Sequence, residues 1–283
     1  MANPLEQTIA SAIKANDTIG RLFSQVGTSS HPRGFVTTAY RNALRAMKAA
    51  LREPNALVAS SDVLAGLKRS LELETRGLFT DARAEGTDEA ARQLSFYGIQ
   101  TAPASPGAAL EAEYVIEAVL ARFTAQETVI RALILTNASE EQIIGSDERV
   151  GAMRSSDIAP LVAVWAATLF WSSFAAHTQA SPGGNTFQKQ AIAAIDARTT
   201  DCCLRVNGQV QPLNGQFTLT GFPRYADLMD WSPFHNYCRT SIALYLPQYD
   251  FGLTLAMRSG ADRMLAERAA GIFTDRHPAD AFG

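Results

Sequence analysis

The sequence predicts an α+β protein: a mostly α-helical N-terminal region followed by a small mixed α/β C-terminal domain. Three observations predict it. Apolar residues recur at helical spacing from Leu5 to Phe174. The loop TQASPGGNTFQ (178–188) then gathers Pro182, Gly183 and Gly184 and marks a boundary. Beyond it the apolar runs shorten to strand length, and Asn207-Gly208 between apolar residues is a hairpin signal. The expected segments are a helical, partner-contacting region over 1–178, a small domain over 185–250, and a C-terminal helix and tail over 251–283.

Composition narrows the class. With 283 residues the chain can bury one large core or two modest ones. An apolar fraction of 47% against 19% charged describes a globular chain rather than a disordered one. A net charge of −3 makes no global case for nucleic acid, which leaves only a local basic patch to argue one. Three cysteines, two of them adjacent, are too few and too odd in number for a secreted disulfide framework, so a reducing compartment is expected. No basic segment followed by an apolar run opens the chain, so no signal peptide is expected.

Taken in order, residues 5–26 carry Leu5, Ile9, Ile13, Ile19, Leu22, Phe23 and Val26 in a helical stripe, broken by GTSSHPRG at 27–34. A second helix, Phe35 to Leu51, places Arg41, Arg45, Lys48 and Arg52 on one face. Such a face is either solvated surface or a strip facing phosphates or a partner. Glu53-Pro54 ends it. Ser61 or Asp62 is placed to cap a third helix reaching Phe79, and Thr87 a short fourth ending near Tyr97-Gly98. TAPASPG (101–107) reads as a loop, and Ala109 to Thr136 as one long helix.

Ser139 with Gln142 forms a capping box for the next helix, and Asp157 is placed to cap another with Pro160 in its first turn. From Ile158 to His177 no residue carries a formal charge, which is long enough for a bilayer. Its flanks lack basic and aromatic anchors, so a buried central helix and no membrane contact are expected. Past the boundary, Ala191 to Ile195, Leu204 to Val206, Gln209 to Leu213 and Ser241 to Leu246 read as short strands. Residues 254–272 return to helix, and TDRHPADAFG forms a tail.

The polar chemistry concentrates between Ile192 and Leu246. His235-x-x-Cys238 offers two metal donors that a tight turn can close on one ion, Cys202 or Cys203 a third, and Asp196 a fourth. Zinc accepts such a mixed nitrogen, sulfur and oxygen set. Equally open is a set of small buried thiols with His235 bonded to backbone. A third reading makes Cys203 or Cys238 a nucleophile, His235 its base and Asp196 the orienting carboxylate. Asp196, Arg198 and Thr199 also suit a turn, with Arg198 or Arg239 bridging to Asp196.

The order of these residues resembles a known family. Asp196-Ala-Arg198-Thr199, then Cys203, then Gly208, and later Pro233-Phe-His235-Asn-Tyr-Cys238-Arg239 is similar to the signature of the phage Mu protein F-like family, the head-morphogenesis or minor head protein domain of tailed bacteriophages. The similarity spans roughly residues 185–246. Ser232 stands where the family usually has a first proline, Cys202 is an added cysteine, and Thr200 and Thr240 occupy places where it often has cysteine. The resemblance implies a non-enzymatic virion protein, held near the portal inside the capsid after assembly in the host cytoplasm. Implied partners are the portal protein, the major capsid or scaffold proteins, and packaged DNA, with Arg41, Arg45, Lys48 and Arg52 as the contact strip. The contrasting expectation is an enzyme or injected effector using Cys203, His235 and Asp196.

Overall fold

A computed structural model describes residues 3–26, 34–101, 110–235 and 238–272. The GTSSHPRG break (save Gly34), residues 102–107 of the TAPASPG loop and the terminal tail lie outside them. Five helices come first: α1 (Pro4–Val26), α2 (Phe35–Ala50), α3 (Ala56–Phe96), α4 (Leu110–Leu135) and α5 (Glu140–Ala180). After a 3₁₀ turn at Gly184–Thr186 the order is β1 (Gln188–Ala193), α6 (Asp201–Val206), β2 (Val210–Pro212), β3 (Phe217–Thr218), β4 (Leu228–Met229), β5 (Thr240–Tyr245) and α7 (Leu253–Ala269). This is the expected α+β class.

Two helices run through places that sequence marks as breaks. Thr87 caps nothing, because α3 continues past it. Gly86 is not a stop either: a Cβ there would fall on the carbonyl oxygen of Phe170 in α5, so the glycine admits a close approach of two backbones. Likewise Asp157 and Pro160 lie inside α5 rather than at its start. Proline removes one backbone hydrogen bond there, and burial of Ile158, Ala159, Val162 and Ala163 around it offsets the loss. The start of α5 is as expected: Ser139 N donates to Gln142 Oε1 at 2.9 Å and Gln142 N to Ser139 Oγ at 3.2 Å. The Asp157–Ala180 stretch is long and apolar enough to cross a membrane by length and composition, and 56% of its most apolar 18-residue window is buried inside the protein.

Compactness does not follow the change of composition near residue 180. Residues 1–19, 83–106 and 167–283 make one compact unit, and 20–82 with 107–166 the other. The second unit is helical. Met47, Leu64, Ile130, Ile143 and Ile144 form its core, rimmed by Leu44, Leu51 and Leu133. Lys68 pairs with Glu127 at 2.7 Å, and Arg76 with Glu72 and Glu113, on its surface.

The first unit holds the sheet. Its order is β2-β1-β5, antiparallel throughout, with Lys189 opposite Leu244 and Gln190 opposite Ala243. Alternation sends Gln190, Ile192 and Ala243 to one face, where Ile192 and Ala243 pack on Ala12, Ile9 and Met257 of α1 and α7, and Gln190 Nε2 donates to Thr254 Oγ1 at 2.6 Å. The other face carries Lys189. Its Nζ lies 3.6 Å from the Trp231 ring centroid and donates to Asp230 O at 2.6 Å, while Trp231 stacks on Trp171 of α5. Burial pushes the Lys189 amine down to about 8, opposed by the Asp230 carboxylate.

The outer edge of β5 is closed by a side chain. Gln93 of α3 accepts from Leu244 N at 2.7 Å and donates to Ile242 O at 3.4 Å, so its amide stands in for a neighbouring strand. Glu89 fixes that amide by accepting from Gln93 Nε2 at 2.8 Å and from Ser11 Oγ at 2.9 Å. Tyr97 adds a bond to Leu244 O at 3.0 Å.

One expected hairpin is absent. Leu204 to Val206 belongs to helix α6, and Asn207-Gly208 ends that helix instead of turning between strands. Asn207 is held on two sides: its Oδ1 accepts from Ala193 N at 2.8 Å and its Nδ2 donates to Met257 O at 3.0 Å. Gly208 adopts φ +74°, open to glycine, and its carbonyl accepts from the Arg258 guanidinium at 3.0 Å.

Candidate metal centre

The centre is built from two chain segments that meet. Thr200 caps α6, its Oγ1 accepting from Cys203 N at 3.4 Å, which places Cys203 in the first turn. The second segment descends through Pro233, joined to Ser232 by a cis peptide bond, and buried Phe234 to His235. Cys238 follows, its N donating to His235 O at 3.2 Å in a tight turn, immediately before β5.

Cys203 Sγ lies 2.9 Å from His235 Nε2 and 3.7 Å from Cys238 Sγ. Thr200 Oγ1 lies 2.8 Å from the same ring nitrogen. The three donors Cys203, His235 and Cys238 all fall within 4.8 Å of one another, a group able to hold a metal ion. Two sulfurs each ~2.3 Å from a tetrahedral zinc would stand about 3.8 Å apart, which the observed 3.7 Å matches. In residue type the three donors suit a zinc-type ion, and the 2.9 Å between Cys203 Sγ and His235 Nε2 would have to open to about 3.6 Å to admit it.

Electrostatics separates the thiols. For Cys203, burial opposes ionisation, but a hydrogen bond from Cys238 and the His235 ring outweigh it and hold the thiol well below the usual range. Burial and the neighbouring Cys203 sulfur drive Cys238 well above it. Cys202, fully buried, is pushed up to about 12 by burial first and by Cys203 second. Adjacent helical residues point roughly 100° apart, so Cys202 stays outside the donor group. Cys202, expected among the ligands, is thereby corrected to a spectator in the core.

Asp196 is also outside the donor group. Its Oδ2 meets Arg239 Nη2 at 2.6 Å, and its Oδ1 accepts from Arg198 N at 2.9 Å and Thr199 Oγ1 at 3.2 Å. Of the two arginines proposed to bridge to it, Arg239 does so with its side chain and Arg198 through its backbone. The turn is braced again by Arg268 of α7, which reaches Asp201 at 2.8 Å, Ala197 O at 3.0 Å and Thr199 O. Asp196, Arg198, Thr199 and Arg239 thus form one braced turn, while Pro233 lies two residues before His235 and Gly208 ends α6 against Arg258.

The cap at Thr200, the two-sided hold of Asn207 and the brace from Arg268 were not read from the sequence. Thr200 carried a usable signal, since a threonine three residues before Cys203 is a capping position. Arg268 carried none, being 67 residues from Asp201.

Arg41, Arg45 and Lys48 lie on α2 and Arg52 just past its C-terminus, and all four are exposed. Arg52 meets Glu140 at 2.9 Å and Lys48 meets Glu148 at 3.7 Å, so half the strip is paired with acids of α5.

No family model, no curated protein and no solved structure matches this chain.

Proposed function

We propose that the chain is a minor head protein of a tailed phage: a virion structural component held near the portal inside the capsid, assisting head assembly or DNA packaging and delivery. One observation carries the reading. The separated elements that resemble the Mu protein F-like signature are spatial neighbours: Asp196 bridges to Arg239, and Cys203 meets His235 and Cys238. A signature whose members brace one another is a structural knot, with zinc as the ion that Cys203, His235 and Cys238 would hold. Thr200, standing where the family often has cysteine, faces the same ring nitrogen. On this reading the helical region docks on the portal, and capsid or scaffold proteins and packaged DNA are neighbours, with Arg41 and Arg45 the more available half of the contact strip.

The test is location. The chain should co-purify with portal rings and remain in purified particles at low copy; its absence from particles assembled with it present would refute the role. The second reading, a thiol enzyme or injected effector, is favoured by the 2.9 Å contact between Cys203 and His235. Both side chains are buried and Asp196 is engaged with Arg239, so the structural reading ranks first. Loss of a catalytic activity in Cys203→Ser with the fold intact would reverse that order.

A further inference from the structure

Two sulfurs in van der Waals contact have a second chemistry besides metal binding. Cys203 and Cys238 are 3.7 Å apart and neither is bonded to another cysteine. Cys203 is a buried residue and Cys238 a half-buried one, so the pair lies beneath the surface with the Cys238 side nearer to it. Cys202, next in sequence, is enclosed in the core and points elsewhere. The chain therefore presents one reactive pair and one spectator.

We propose that Cys203 and Cys238 form a reversible dithiol that a peroxide closes to a disulfide whenever the knot holds no metal. Peroxide oxidises one sulfur of the pair: an S–O bond forms, the O–O bond breaks, and one water leaves, giving a sulfenic acid. The other sulfur, 3.7 Å away, then attacks it, the S–O bond breaks, the S–S bond forms, and the hydroxyl departs with the thiol proton as a second water. Two thiols and one hydrogen peroxide thus give one disulfide and two waters. Closure needs the sulfurs to approach from 3.7 Å to about 2.05 Å by side-chain rotation.

Metal and disulfide are then alternative stitches for the same seam, tying the first turn of α6 to the residue pair before β5. Each suits one compartment: an ion where thiols stay reduced, a covalent bond where they do not. The biological meaning rests on the virion reading, since a particle assembled in a reducing cytoplasm later meets an oxidising exterior; the chemistry of the pair does not.

The experiment uses the full chain, stripped of metal by chelation and treated with a few equivalents of hydrogen peroxide. Two of its three thiols should vanish together. Peptide mapping should recover a Cys203–Cys238 cross-link, and the thermal midpoint should rise by about 5–10 °C from closing the intervening loop. Dithiothreitol should reverse all three changes. A zinc-loaded sample should keep its thiols at the same dose. Cys238→Ser should give no intrachain cross-link and no rise in thermal midpoint; Cys202→Ala, which leaves the pair untouched, should behave as the parent chain and serves if Cys238→Ser does not fold. Cross-links through Cys202, dimers between chains, or a sulfinic acid at Cys238 beside a reduced Cys203 would each overturn the proposal. That failure would leave the particle-location assay untouched, and absence from particles would leave this cross-link untouched.

Discussion

Lys189 offers the sharpest test of the fold, because its sign and size both follow from position. Burial lowers its proton affinity from the ordinary 10.5 to about 8. That gap corresponds to roughly 3.4 kcal/mol at 1.36 kcal/mol per tenfold change. The folded value lies below the unfolded one, so the charge destabilises the fold fully below pH 8. The penalty is relieved as pH climbs towards 10.5. The Trp231 face at 3.6 Å favours the cation and trims the effect. Between pH 7 and pH 10 the net gain expected from Lys189 is about 2 kcal/mol. The assay is urea unfolding, followed by tryptophan fluorescence at both pH values, for the parent chain and Lys189→Met. Tyrosines, cysteines and other lysines titrate alike in both proteins, so the difference isolates Lys189. The parent should gain about 2 kcal/mol relative to the variant on going to pH 10. Curves that shift in parallel would refute the idea that burial of this strand lysine costs its charged form more than Asp230 and Trp231 return.

Three other perturbations have outcomes fixed by geometry. Gln93→Ala leaves Leu244 N without its buried acceptor and should cost ~1–3 kcal/mol in urea unfolding; an unchanged midpoint would mean that the β5 edge does not depend on that amide. Gly86→Ala forces a methyl onto Phe170 O and should destabilise by ~1–3 kcal/mol, whereas Gly77→Ala in the same helix, with open space around it, should stabilise by up to ~1 kcal/mol; equal effects would contradict the close backbone approach. His235→Ala should reduce bound zinc, measured by elemental analysis, from about one per chain to none, and lower the thermal midpoint as Thr200 and Cys203 lose their partner. Zinc retained by that variant would remove His235 from the ligand set.

The helical half was legible wherever a stripe and a cap coincided, as at Ser139 and Gln142. It was illegible where a breaker is tolerated by its neighbours. Gly86 and Pro160 are local stop signals, yet one permits helix contact and the other is carried by burial on both sides. The strand assigned to Leu204–Val206 failed for a similar reason: a short apolar run before Asn-Gly suits a hairpin, but Thr200 opens a helix four residues earlier. The donors Cys203, His235 and Cys238 were visible because their residue types are scarce. Asp196 and Cys202 shared those types without sharing the position, since one is claimed by Arg239 and the other turns away along the helix. Lys189 and Gln93 could not be found, because a central strand lysine and a helical glutamine gain meaning only from partners 41 or more positions distant.

The bond from Asn3 Nδ2 to Tyr249 O joins residues 246 positions apart. At roughly 5–20 residues per second, a ribosome that has released the opening helix needs about 12–50 s more to deliver that partner. During this wait Ala12 has no sheet to rest against, although the purely helical unit has already emerged in full. Assembly of the sheet therefore waits for β5, and a chain stalled before that strand would display the bare face of α1 to whatever chaperone is near.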